Sequence, residues 1–271
     1  AEPTETENTD PTASTESTDA TQATETTEST EPSEPEESTE ATEPTEPPTP
    51  VTSDSCVDFI KAFEGFSKYL YWDYQQYTVG YGSTCPADKY AEYKANGIPE
   101  EDAEKLLRKH LSDIEKEINA FDEKYALQLS QHQFDALVSF SYNCGTAWLY
   151  KTGTFRTAVL EKLEGNDLIR SLSLWCNAGG EILPSLVRRR LSEANMYLNG
   201  VYEATPPETY GYVLFDANGG SASPRVQGYD VTLTDTIRTE ATREGYTFNG
   251  WYTAAKGGTK IGDAGAAYTP S

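Results

Sequence analysis

Any folded core in this chain has to be drawn from residues after Ser55. Residues 1–55 are almost entirely Thr, Glu, Ser, Pro and Ala, and they hold 16 of the 44 acidic residues and none of the 21 Lys and Arg. With hardly an aromatic or branched aliphatic side chain, such a segment has too little apolar surface to offset the entropy of ordering. Its prolines and like charges keep it extended. It reads as a disordered, solvated stalk. Residues 56–271 carry 28 acidic against 21 basic residues, so most of the net charge of −23 belongs to the stalk. No basic tract is present to replace phosphate counterions, which argues against nucleic acid as a partner. No apolar run approaches a membrane span. The sequence opens at Ala1 without a signal peptide, and the expectation is a chain whose export signal lay upstream.

The four cysteines, Cys56, Cys85, Cys144 and Cys176, lack the paired spacing of a zinc site. Disulfides in an exported protein are therefore expected, and neither a metal nor another cofactor. Of the three possible pairings, Cys56–Cys85 with Cys144–Cys176 is favoured, because it ties the first helix to the sheet that succeeds it and a helix end at Cys144 to a later loop.

Residues 56–204 read as one mainly helical domain. Val57, Phe59, Ile60 and Phe63 lie at helical spacing. The aromatic stretch Tyr69–Tyr81, broken by the polar run Asp73–Gln76 and closed by Gly80-Tyr81-Gly82, predicts a hairpin or three-stranded sheet. Pro99 and the acidic turn Glu100-Glu101-Asp102 open a long helix with an apolar stripe from Ala103 to Phe121. Ser130 and Gln133 form a capping box before a helix that Gly145 stops. Helical patterns recur at Phe155–Leu163, Leu168–Trp175 and Ser185–Leu198. Helices segregated from one small antiparallel sheet define an α+β domain. Thr205-Pro206-Pro207 marks a linker. Residues 210–271 form a separate β-rich module, with Asn218-Gly219-Gly220 as a hairpin turn and β-like runs at Tyr212–Phe215, Val231–Leu233 and Tyr246–Tyr252.

One constellation carries chemistry. Hydrolysis of a glycosidic bond needs two acidic groups, one giving a proton to the leaving oxygen and the other directing water or attacking the anomeric carbon. The donor must stay protonated near neutral pH, which calls for apolar surroundings. Glu64, between Phe63 and Gly65-Phe66 at the end of the first helix, meets that description. Asp73 comes next, in the polar turn between two aromatic strands, where it can stay solvated and ionised. Thr78, on the returning strand, offers a hydroxyl that can hold water beside Asp73. Acidic residues at such spacing are more often surface charges, so the pattern alone does not decide the matter.

Further motifs do. Glu64-Gly65-Phe66, Tyr71-Trp72-Asp73 and Tyr77-Thr78-Val79-Gly80-Tyr81-Gly82 closely resemble the signature of the phage-type lysozymes, glycoside hydrolase family twenty-four. The likeness continues through Glu100–Leu107, Gln133–Phe140 with Asn143 and Gly145, Trp175–Gly180, and Leu183–Arg190. It covers nearly all of residues 56–200, in order. The resemblance implies Glu64 as general acid, Asp73 as base or electrostatic stabiliser and Thr78 as a positioner of water. It also implies Asn143 and Trp175 as a polar–aromatic pair shaping a substrate cleft. One of Arg188, Arg189 and Arg190 would reach Glu64 or the anionic peptide stems of the substrate. Two departures stand out. Ser83 replaces a histidine common in the family, and the loop between Asp73 and Thr78 is one residue shorter than is common.

In the C-terminal module, Val213–Gly220 and Thr242–Tyr252 resemble the Listeria–Bacteroides repeat, the internalin B-type repeat of extracellular bacterial proteins. That resemblance implies a small β-grasp-like fold and a further strand beyond the present end. Trp251 and Tyr252 are expected in its core.

The expected function is an endo-acting, secreted or surface-bound bacteriolytic muramidase that cuts peptidoglycan as a monomer. Two alternatives differ in class. A wall-binding adhesion protein would have no need of Glu64, Asp73 and Thr78 together, and a lytic transglycosylase would expel its leaving group without water.

Overall fold

A computed structural model describes residues 49–73 and 75–268. The expected stalk therefore lies outside the described residues up to residue 48. The folded part starts earlier than the composition break suggested. Helix α1 spans Asp54–Glu64 and is capped by the Ser53 hydroxyl, which accepts from Cys56 N. Ahead of it, Thr52 donates to Glu115 through its backbone N–H at 2.9 Å. The Pro50 carbonyl accepts from Asn119 at 3.0 Å.

After α1 come three antiparallel strands, β1 (Ser67–Asp73), β2 (Gln76–Gly80) and β3 (Ser83–Thr84), in the order β1-β2-β3. The rest of this domain is helical: α2 (Tyr90–Asn96), α3 (Glu100–Tyr125), α4 (Gln131–Cys144), α5 (Thr154–Leu160), α6 (Gly165–Ser173) and α7 (Pro184–Asn199). A short ladder of β4 (Asn177–Ala178) and β5 (Glu181–Ile182) sits before α7. The α3 stripe Ala103, Leu107, Leu111, Ile114, Ile118 and Phe121 is buried, as its spacing required. The capping box at Ser130 and Gln133 forms with both of its bonds, and Gly145 ends α4.

The core is one apolar cluster in which α1, α3, α4, α6 and α7 meet. Asp135 is wholly buried within it. Its carboxylate accepts from the Ser53 hydroxyl at 2.6 Å and from the Tyr202 hydroxyl at 2.7 Å. The two ends of the domain are thus tied to α4 through one side chain, and burial of that charge is offset by its donors. No described helix is long and apolar enough to cross a membrane.

The C-terminal module consists of short strands in two-stranded ladders. They are β6 (Tyr210–Leu214) with β8 (Val226–Asp230), β7 (Ser221–Ser223) with β10 (Glu240–Thr242), β9 (Asp235–Thr236) with β13 (Ala267–Tyr268), and β11 (Trp251–Tyr252) with β12 (Lys260–Gly262). Two sequence expectations are corrected here. Val231–Leu233 is a turn, because the Asp230 carboxylate accepts from Thr232 N at 2.9 Å and from its hydroxyl at 2.8 Å, curling the chain away from β8. Of Tyr246–Tyr252, only Trp251–Tyr252 is strand. The Asn218–Gly219 turn forms, with Gly220 N donating to the Ala217 carbonyl, but the strands on either side of it pair elsewhere.

The module packs on the helical domain through α6 and β8. Gly228 N donates to the Ser173 hydroxyl at 3.0 Å, and Asp230 N to Asn166 Oδ1 at 2.6 Å. Arg170 pairs with the buried Asp235. Gly228 is required by close approach, since a Cβ there would lie 2.9 Å from the Ser173 Cβ.

All four cysteines are free thiols, so the expected disulfide pairings are absent from this structure. Cys56 is buried against α4 with its thiol on the Asp135 carbonyl at 3.3 Å, whereas Cys85 lies beside Pro86 beyond the sheet. Cys144 Sγ accepts instead from Arg190 Nη1 at 2.6 Å.

Candidate active site

Glu64 is the last residue of α1, and Gly65 succeeds it with φ 68°, a left-handed turn that a side chain would disfavour. The turn ends the helix and leaves the Glu64 carboxyl at its lip, 22% exposed. Its surroundings are less apolar than the sequence suggested. Arg189 of α7, with a side chain only 5% exposed, places Nη1 2.6 Å from Glu64 Oε1. That decides among the three arginines: Arg189 reaches Glu64, Arg190 is buried nearby, and Arg188 is exposed. The Arg189 guanidinium also lies 5.2 Å over the Phe63 ring.

The sheet beside Glu64 presents Asp73 and Thr78 on one face. Tyr71 is paired with Thr78 and Asp73 with Gln76, and residues two apart on a strand share a face, so Tyr71, Asp73, Gln76 and Thr78 point the same way. Burial, then Asp73 and then Glu64, push the Tyr71 hydroxyl up in pKa, so both carboxylates lie within electrostatic reach of it. Thr78 is buried, and its Oγ1 has no hydrogen-bond partner among the described residues. Ser83 is buried on the adjoining strand, and its Oγ likewise has no partner among the described residues.

From the other side, Tyr142 of α4 donates to the Tyr81 carbonyl at 2.6 Å. Burial first, then the Glu64 charge, drive its hydroxyl well above the ordinary tyrosine range, against the pull of Arg189. Tyr142 is therefore a neutral donor near neutral pH.

Asn143 and Trp175 do not touch Glu64. They share a hub formed by Arg190 and Phe140: Asn143 Oδ1 accepts from Arg190 Nη2 at 2.9 Å, the Arg190 guanidinium lies 4.9 Å over Phe140, and the Trp175 ring meets Phe140 at 5.3 Å. Trp175 is 38% exposed and Asn143 is exposed, so both remain open to a ligand.

Sequence reasoning missed the buried charges linking these groups. Glu193, fully buried, accepts from Arg189 Nε at 3.1 Å, from Arg190 Nη2 at 3.2 Å and from the Ser139 hydroxyl at 2.9 Å. One signal was available. Arg189 and Glu193 stand four residues apart on a helix whose neighbours Leu191, Ala194 and Met196 demand burial all round.

Among the described residues no three His, Cys, Asp or Glu side chains cluster closely enough to hold a metal ion. A cleft of about 650 Å³ on the C-terminal module, walled by Phe215, Phe248, Trp251 and Tyr252, holds Asp216 as its one carboxylate and so lacks the acid pair.

Both parts of the chain are similar to known proteins. Residues 61–193 match the Phage lysozyme family, and residues 212–271 match the Listeria-Bacteroides repeat domain. Among curated relatives, the endolysin of Bacillus phage B103 is 32% identical over 170 residues, covering 58% of this chain and 57% of that protein. The endolysin of Bacillus phage PZA is 30% identical over 160 residues, covering 55% of each. The chain thus spans a little over half the length of these relatives. Among solved structures, the muramidase domain of SpmX from Asticaccaulis excentricus aligns at 28% identity over 55% of this chain and 99% of that one, with a TM-score of 0.47. An endolysin from Escherichia coli O157:H7 phage FAHEc1 aligns at 30% identity over 56% and 95%, with a TM-score of 0.46. The chain thus matches, in this order, the Phage lysozyme family and the Listeria-Bacteroides repeat domain.

Proposed function

We propose that the helical domain is an endo-acting lysozyme that hydrolyses the β-1,4 bond between N-acetylmuramic acid and N-acetylglucosamine in bacterial peptidoglycan. Glu64 is the general acid, Asp73 the base or electrostatic stabiliser, and Thr78 the residue that positions the attacking water. The observation that carries this reading is a carboxyl held by a buried arginine at a helix end, beside a sheet face bearing a second carboxylate and an unpartnered buried hydroxyl. Glu64 protonates the leaving oxygen as the bond to the anomeric carbon breaks. Water held by the Thr78 hydroxyl loses its proton towards Asp73 as it attacks that carbon, so both products leave hydroxylated. Arg189 fixes the Glu64 orientation, and Tyr71 and Tyr142 add neutral hydroxyls at the rim.

Asn143 and Trp175 form the glycan-binding wall of the cleft, with Arg190 and Phe140 behind them. The site of action is the bacterial wall, outside the cytoplasm, and the repeat is the surface-type module of a secreted or wall-associated protein.

The test is digestion of purified peptidoglycan by wild type and Glu64→Gln, with mass spectrometry of the fragments. New reducing ends from wild type and none from the variant are expected. Anhydro-sugar ends would mean a transglycosylase, and binding without release would mean an adhesion protein.

A further inference from the structure

Under the proposed reaction, on which this inference rests, Glu64 meets two demands. It must hold one orientation, and it must carry a proton when substrate arrives. Arg189 serves the first and opposes the second, because a guanidinium beside a carboxyl favours the ionised form. The remainder of the buried cluster bears on that conflict.

Glu193 lies one turn beyond Arg189 on α7 and takes its Nε at 3.1 Å. Arg189 thus divides its donors between two carboxylates, Nε to Glu193 and Nη1 to Glu64, while its Nη2 has no partner among the described residues. Glu193 also neutralises charge. Arg189, Arg190 and Glu193 together carry one positive charge, so protonating Glu64 takes the cluster from neutral to plus one. With glutamine at position 193 the same proton would take it from plus one to plus two. Arg189, Arg190 and Glu193 are at most 5% exposed, where screening by water and salt is weak.

The other groups around the cluster do not supply that compensation. Facing Glu64 are Arg189, the neutral Tyr142 of α4 and Tyr71 of β1, with Asp73 beyond Tyr71. The His110 ring of α3 lies tilted against Tyr142 at 5.0 Å, and Lys61, one turn back on α1, pairs with Glu104 at 3.1 Å. Around Glu193 stand its two arginines, the Ser139 hydroxyl, and the thiols of Cys56 and Cys144, both held protonated by burial.

We propose that Glu193 is a positioning residue for the proton donor: it occupies the Nε edge of Arg189 and offsets its charge, so that Arg189 aims Glu64 without fixing it as a carboxylate.

The experiment measures kcat and KM against pH on soluble peptidoglycan fragments for wild type, E193Q, E193D, R189Q and the R189Q/E193Q double variant. The donor must be protonated to act, so its loss of activity forms the alkaline limb of kcat. E193Q should draw that limb down by about one pH unit, a loss of about tenfold on the alkaline side, with KM within about twofold. E193D, which keeps the charge on a shorter arm, should fall between wild type and E193Q. R189Q should move the limb up, and adding E193Q to it should lower it by less than E193Q lowers the wild type, since only Arg190 is then left uncompensated. A rate that falls evenly at every pH with the limb unmoved, or an E193Q shift as large in the R189Q background as in the wild type, would overturn the proposal.

Removing one member of a buried ion cluster can unfold a domain. If E193Q shows no cooperative melt, a wild-type limb in E193D overturns the proposal in its place. If wild type releases no product, the hydrolase reading fails separately. A carbon-detected NMR titration of the Glu64 carboxyl in wild type and E193Q then makes the same comparison without turnover, and coincident curves would reject the role of Glu193.

Discussion

The helical domain and the C-terminal repeat bury polar groups for different ends. In the helical domain the buried charges Arg189, Arg190 and Glu193 converge on an exposed lip where Glu64 meets solvent. In the repeat, buried Asp235 is spent on Arg170 of α6 and on Gln227, and Trp251 donates to the Thr239 carbonyl; these contacts close inward. A buried ion pair is weak grounds for stability. A buried ion cluster that ends at a solvent-facing carboxyl is better explained by what it does to that carboxyl. On the proposed mechanism, the difference between the two regions is between polar groups that aim a reactive side chain and polar groups that fix packing.

The largest expected effect would break this comparison if it failed. Glu64→Gln should lower turnover by about two to four orders of magnitude while leaving the melting temperature nearly unchanged. Trp251→Ala should do the reverse. Trp251 packs against Phe215 at 4.8 Å and Phe248 at 5.3 Å, and its loss should cost the repeat about 3–5 kcal/mol. Cleavage of soluble fragments should stay close to wild type. Calorimetry alongside the product assay checks both, and a Trp251→Ala protein that folds normally but cleaves no fragments would put the repeat inside the catalytic unit.

A smaller effect sharpens the boundary between the regions. Gly228→Ala drives a Cβ to 2.9 Å from the Ser173 Cβ and 3.2 Å from Ile169. The overpacking should cost about 1–3 kcal/mol, concentrated where β8 rests on α6. The melt should split into two transitions, one for each region. A single transition at the wild-type temperature would mean that the contact contributes little to holding them together.

Legibility in the sequence divides along the same contrast. The α3 stripe, the capping box at Ser130 and the Pro184–Gly200 bounds of α7 are local signals, and the structure obeys them. The hairpin bearing Asp73 and Thr78 was equally plain from its aromatic alternation. In the repeat, strand limits depend on single side chains. Asp230 ends β8 by capping Thr232, and no periodicity in Val231–Leu233 foretells it. The Glu64–Arg189 pair joins residues 125 positions apart, so spacing named three candidate arginines and tertiary packing chose one. Glu193 was missed although its i,i+4 spacing from Arg189 stood in the sequence, since a charged residue on a helix is by default solvated. The cysteines misled because their spacing carries no direction, and Cys56 points at the Asp135 carbonyl.

In the proposed mechanism, water held on the Asp73 and Thr78 face attacks the sugar from the side opposite Glu64. Such inverting sites keep their carboxyl groups roughly 6.5–9.5 Å apart, whereas direct attack needs about 5–5.5 Å. The unpartnered Thr78 hydroxyl motivates the inverting route, because a nucleophilic Asp73 would not require it. Proton NMR of the first product from a β-linked glycan strand, read before mutarotation, tests this most directly. The α-anomer should appear first. Initial release of the β-anomer would contradict the mechanism, even with Glu64 essential.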